Sequence, residues 1–136
     1  MESKHTYLIV TNNPLVVECL PKDYALDYEK ISYRDVLVKV RDLVYSGHRM
    51  YTHPLSGSVK PNETPYKSIV VSRNPKGMDL GEAEIISNSI QTYDKFVPCN
   101  RVFTEQVYKD FQLIDYTLLC GALDLDAAAG LSNRKI

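Results

Sequence analysis

RMYTHPLSGSVKPNETPYK, residues 49–67, begins with strand-forming residues and then places Pro54, Gly57, Pro61 and Pro65 within a dozen positions. Loops of this length without their own secondary structure are uncommon in compact domains and are usually functional or disordered. Each proline fixes its own φ and restricts the residue before it, so the segment reads as a stiff ribbon. On one side, residues 48–55 predict a strand that runs into it. On the other, Ser68–Ser72, SIVVS, is apolar enough to be a central strand. No helix separates these two strands. About a dozen extended residues reach on the order of 40 Å, enough to cross a sheet and keep the strands parallel. A broad antiparallel connection fits the same length. The parallel arrangement is the expectation carried forward.

Upstream, Tyr7–Thr11, YLIVT, has the composition of a strand buried on both faces. Asn12-Asn13-Pro14 follows, and then LVVECL. Asn13 suits a helix cap and Pro14 the first helical position, where its missing N–H costs nothing. Residues 25–29 read as a weaker second strand. Ser32 caps a helix whose Val36, Leu37, Val40, Leu43 and Val44 share one face, and Gly47 ends it. Downstream, Asp79 caps a helix carrying Ile86, Ile90, Tyr93 and Val97 in steps of four and three, stopped by Pro98. Thr104 caps the last long helix, with Val107, Phe111, Ile114 and Leu118 as its expected buried stripe. The tail from about residue 121 holds one more helical turn before it frays. The order β-α-β-α-β-loop-β-α-α predicts a single α/β domain over residues 1–136. Its expected form is a three-layer sandwich with a mainly parallel four-stranded sheet and about four helices.

At 136 residues and a net charge of −1, the chain carries no electrostatic footprint for nucleic acid or a membrane surface. No apolar run reaches the length of a membrane span, and MESKHTYLIV lacks the basic lead of a signal peptide. A cytoplasmic location is expected. Cys19, Cys99 and Cys120 are far apart and form no CxxC or Cys/His pair at metal spacing, so free thiols and no metal site are expected. No dinucleotide GxGxxG, Walker motif or Ser–His–Asp order is present, and no cofactor is expected. No motif names a reaction.

The polar ribbon and the Asn12-Asn13 turn together form the expected ligand site: in a parallel sheet, ligands bind at the carboxyl ends of the strands. His53 is a candidate general acid or base, because its unperturbed pKa lies near neutrality; its bland alternative is a histidine bonding a nearby carbonyl. Ser56-Gly57-Ser58 followed by Lys60 resembles an anion-holding turn, although Ser/Gly turns also serve purely conformational ends. Asn62 adds a donor. The expected ligand-binding set is therefore Asn12, Asn13, His53, Ser56, Gly57, Ser58, Lys60 and Asn62, for a small anion or a protein partner.

YLIVTNNPLV, VRDLVYSGHRMYTHPLSGSVKPNETPYKSIVVS and KDFQLIDYTLL resemble the GrdX family. That resemblance covers roughly Tyr7 to Leu119. It implies a small protein that accompanies the glycine, sarcosine and betaine reductase complexes of anaerobic, amino-acid-fermenting bacteria. Those complexes rely on selenocysteine, a pyruvoyl group or redox-active thiols, none of which has an equivalent here. The implied role is a non-catalytic accessory protein, with reductase components as possible partners. A small enzyme using His53, and a homodimerising module clamped by the ribbon, are the alternatives.

Overall fold

Tyr7–Thr11 (β1) is the central strand of a three-stranded sheet, with Ala25–Tyr28 (β2) on one side and Ser68–Ser72 (β3) on the other. The computed structural model describes residues 4–56, 63–96 and 102–132. β2 runs parallel to β1 in a register from Leu8↔Ala25 to Thr11↔Tyr28. β3 runs antiparallel, from Tyr7↔Ser72 to Thr11↔Ser68. This mixed three-stranded sheet corrects the expected mainly parallel sheet of four strands.

Two local facts explain the correction. The Lys67 N–H donates to Asn12 Oδ1 at 2.9 Å, and the Asn12 N–H reaches Lys67 O at 3.4 Å. The ribbon thus delivers β3 beside the carboxyl end of β1, and β3 must leave in the opposite direction. The expected third strand shrinks to a single bridge, Met50↔Val71. Tyr51 N donates to Val70 O and Ser72 N to Arg49 O, but the next amide, Val70 N, is taken by Thr52 Oγ1. A side chain there substitutes for the backbone, and Pro54 brings no N–H with which to resume pairing.

Among the described residues there are five α-helices, not the expected four or so: Pro14–Cys19 (α1), Tyr33–Tyr45 (α2), Leu80–Lys95 (α3), Glu105–Ala122 (α4) and Ala127–Ser132 (α5). Asn13, Ser32, Asp79 and Thr104 each accept an N–H of the first turn of α1, α2, α3 and α4 respectively. Beyond α2, Gly47 adopts φ 108°, a left-handed conformation that a side chain would strain. A Cβ there would also meet Gly77 N at 3.3 Å.

Period-two alternation sends the sheet residues to two cores. Ile9 and Val70 pack against Val16 of α1 and against Tyr116 and Leu119 of α4. Val10, Ile69 and Val71 pack against Val36, Leu37 and Val40 of α2 and Ile86 and Ile90 of α3. Each such side chain, fully buried, contributes roughly 1.5–3 kcal/mol. In α4 the buried row is Asp115, Tyr116, Leu119 and Cys120. Ile114 and Leu118, expected inside, are 41 % and 47 % exposed. No helix among the described residues is long and apolar enough to cross a membrane.

Candidate functional site

Asn12 and Asn13 are both buried, and their side chains are engaged by the fold. Asn12 Nδ2 donates to Ile31 O and to Pro65 O, each at 2.8 Å, while Oδ1 takes the Lys67 amide. One carboxamide therefore ties the turn after β2 and the far end of the ribbon to the tip of β1. Asn13 Oδ1 accepts the Leu15 N–H, and its Nδ2 donates to Gln112 O at 2.9 Å and Asp115 Oδ2 at 3.0 Å. Val16 N ends on Asn13 O.

The ribbon's described ends both reach this region. Tyr33 Oη donates to Pro54 O, and Lys67 Nζ donates to Ser56 O at 2.7 Å and Ser56 Oγ at 3.2 Å. His53 is exposed and accepts the Leu55 N–H on Nδ1 at 3.0 Å, a contact within its own turn. It lines neither recess described below. Gly57, Ser58, Lys60 and Asn62 lie outside the described residues, as does Cys99.

Beside Asn12, a cleft of about 710 Å³ opens at the carboxyl ends of the two parallel strands. Tyr28 ends β2, Tyr33 opens α2, Tyr93 closes the far end of α3, Phe103 and Tyr108 lie at the start of α4, and Tyr66 belongs to the ribbon. Their rings dominate the lining. Tyr33 and Tyr93 stack with centroids 5.3 Å apart, and Phe103 meets Tyr108 edge-on at 5.4 Å. Burial raises the Tyr33 and Tyr93 phenols above their ordinary range, and the Asp115 charge raises Tyr33 further. Both therefore stay neutral at physiological pH and present apolar faces with polar edges. Lys30 and Glu63 supply one charge of each sign to the lining, and neither has an ion-pair partner among the described residues.

Tyr33, Thr64 and Tyr66 also line a much smaller slot, about 20 Å³, on their other side. Lys67 and Asp115 complete it from within, both nearly inaccessible, and Ile114 and Leu118 of α4 form its exposed lips. Asp115 Oδ1 accepts the Ser68 N–H at 2.9 Å, and Oδ2 accepts the Ser68 hydroxyl at 2.7 Å. Because Ser68 spends its proton there, Thr11 donates to Ser68 Oγ at 2.6 Å while accepting the Asn13 N–H. Burial pushes the Asp115 carboxyl above its ordinary range, against the hydrogen bonds from Ser68 and Asn13 and the Lys67 charge. Burial pushes the Lys67 ammonium down, against the pull of Asp115.

Sequence reasoning missed Asp115, Lys30 and the rings that other elements bring to the cleft, Tyr28, Tyr33, Tyr93, Phe103 and Tyr108. The one signal for Asp115 is a single acid inside the apolar run FQLIDYTLLCGAL of α4. The tyrosines carry no such signal, because ten are spread through the chain and only the fold converges five of them.

A family model described as GrdX-like protein matches residues 8–124. No curated protein and no solved structure matches the chain.

Proposed function

The chain belongs to the GrdX-like family, and on that premise we propose that it is a non-catalytic accessory protein of the glycine, sarcosine and betaine reductase system, holding a small amino-acid-type ligand in the tyrosine-lined cleft beside Asn12. The observation that carries this reading is the cleft itself: about 710 Å³ at the carboxyl ends of the parallel strands, walled by aromatic rings. A recess of this kind, mostly apolar with a few polar groups, is the usual form of a small-molecule site. Lys30 meets the ligand's carboxylate. The ring faces meet its ammonium or methylammonium end, a contact of about 0.5–2 kcal/mol each, with Glu63 beside them. The Asn12 carboxamide holds two walls of the cleft in place through Ile31 and Pro65.

A catalytic role for His53 gains no support from its position, since its ring serves its own turn. Association with a reductase component follows from the family premise, and the ligand-loaded cleft is the state such a partner would read.

Thermal unfolding with glycine, sarcosine, betaine, acetate and methylamine tests the proposal. A bound zwitterion at a hundred times its Kd stabilises by about 2.7 kcal/mol, and the two half-molecules stabilise less. Lys30→Ala and Tyr28→Ala change exposed groups, so they keep the ligand-free midpoint and lose the ligand-induced rise. An unchanged rise in both variants would remove the ligand from this cleft.

A further inference from the structure

Lys67 and Lys39 are two low-exposure lysines with opposite surroundings. Lys39 Nζ sits between Asp27 Oδ1 at 2.7 Å and Glu29 Oε1 at 3.1 Å. Lys67 is 5 % exposed, yet among the described residues its Nζ bonds only neutral oxygens, the carbonyl and hydroxyl of Ser56. No carboxylate among the described residues lies within ion-pair distance of it. Asp115, the nearby acid, has its oxygens occupied by Ser68 and Asn13. An ammonium whose hydration is replaced by two neutral acceptors is poorly compensated, and the neutral amine is correspondingly favoured. Burial lowers its pKa accordingly.

We propose that Lys67 is a reactive amine that captures a small aldehyde as a Schiff base at the floor of the slot between the ribbon and α4. The slot runs from the exposed lips Ile114 and Leu118 to the buried Lys67, and its roughly 20 Å³ admits a head group of one carbon. The Nζ lone pair attacks the carbonyl carbon and forms the C–N bond, while the C=O electron pair moves to oxygen. That oxygen takes up a proton as nitrogen loses one. The carbinolamine then expels water, giving an imine from one amine and one aldehyde. The titratable groups facing Nζ are Asp115 from α4, Tyr33 from α2 and Tyr66 from the ribbon.

Reductive methylation tests this on the native protein. Formaldehyde and cyanoborohydride are added over a range of pH, and the methylation of each lysine is followed by peptide mass. Lys67 is expected to react faster than the exposed Lys22 and Lys109 near neutral pH, with a rate profile that rises at lower pH than theirs. Each unit of difference in pKa raises the neutral-amine fraction about tenfold. Burial alone predicts the opposite order, so a Lys67 rate equal to or below that of Lys22 would overturn the proposal. Leu118→Trp, a change at an exposed lip, should slow Lys67 and leave Lys22 untouched. An unchanged Lys67 rate in that variant would also overturn capture through the slot.

Discussion

Asp115 joins three segments through one carboxylate: α4, which carries it, the first residue of β3 through Ser68, and the cap of α1 through Asn13. Asp115→Ala leaves the Ser68 amide and hydroxyl without their acceptors, Asn13 Nδ2 with only Gln112 O, and Lys67 without its neighbouring charge. Breaking one side of a buried charged network costs about 3–5 kcal/mol, and denaturant unfolding reads that loss directly. Asp115→Asn retains an acceptor oxygen and should lose less. The two buried charges also set opposite pH dependences. Asp115 has a raised folded pKa, so the folded state binds its proton more tightly, and that stabilisation fades as pH rises through the folded value. Lys67 has a lowered folded pKa, so its penalty is full at low pH and is relieved between that value and the unfolded value near about 10.4. Tyr33, raised by burial, opposes the rise once unfolded tyrosines ionise near about 10. Measured from neutral pH to about 10, the stability of Lys67→Met should climb less than that of the wild type; parallel slopes would show that Lys67 is not the group responsible. None of this was readable from residues, because a lone acid in an apolar helix and a lysine ending a loop look like ordinary surface groups. The contact that buries the acid, from the Ser68 hydroxyl to Asp115, spans 47 positions of sequence.

Among the elements, the helix starts were the most legible part, since Asn13, Ser32, Asp79 and Thr104 signal themselves by short-range chemistry. β1 and β3 were legible as short apolar runs, and α2 as an apolar face at helical spacing. α4 was located correctly and turned wrongly. It has apolar residues on both sides, and a stripe through Val107, Phe111, Ile114 and Leu118 fits helical spacing as well as the true row does. The true row includes a buried acid, which pattern reading treats as outward. This reorients two expected mutational costs. Leu119→Ala, at 3 % exposure, should cost about 2–5 kcal/mol, whereas Ile114→Ala, partly exposed, should cost under about 1 kcal/mol. Urea midpoints of the two variants settle the helix's orientation, and equal losses would contradict it. The third strand was misread because residues 49–51 do pair with β3, but only for the length of one bridge before Thr52 and Pro54 end it.

For the whole molecule, strand direction is what places the ribbon and the cleft at one end. Because β3 starts where β1 stops, residues 65–67 lie beside the Asn12 turn, and Tyr66 joins Tyr28 and Tyr33 in the cleft lining without a second crossover. A loop of that length fits either direction, so the choice rested on the Asn12–Lys67 contact, which is invisible until the chain is folded. The neighbourhood of the candidate site was therefore legible as a meeting of turn and ribbon, while its aromatic walls were not. The same sheet separates two cores that share no side chain: Val16 belongs to one, with α1 and α4, and Val36 to the other, with α2 and α3. The residues of β1 and β3 alternate between them. If that thin sheet suffices to couple them, the domain unfolds as one unit. Val16→Ala and Val36→Ala should each lower a single urea transition without changing its slope, and the double variant should show the sum of the two losses within about 0.5 kcal/mol. Separate transitions detected by near-ultraviolet tyrosine signal and by far-ultraviolet helix signal would mean that the two faces fold independently. In that case the cleft, which draws Tyr33 and Tyr93 from one core and Tyr108 from the helix of the other, would lose one wall before the other.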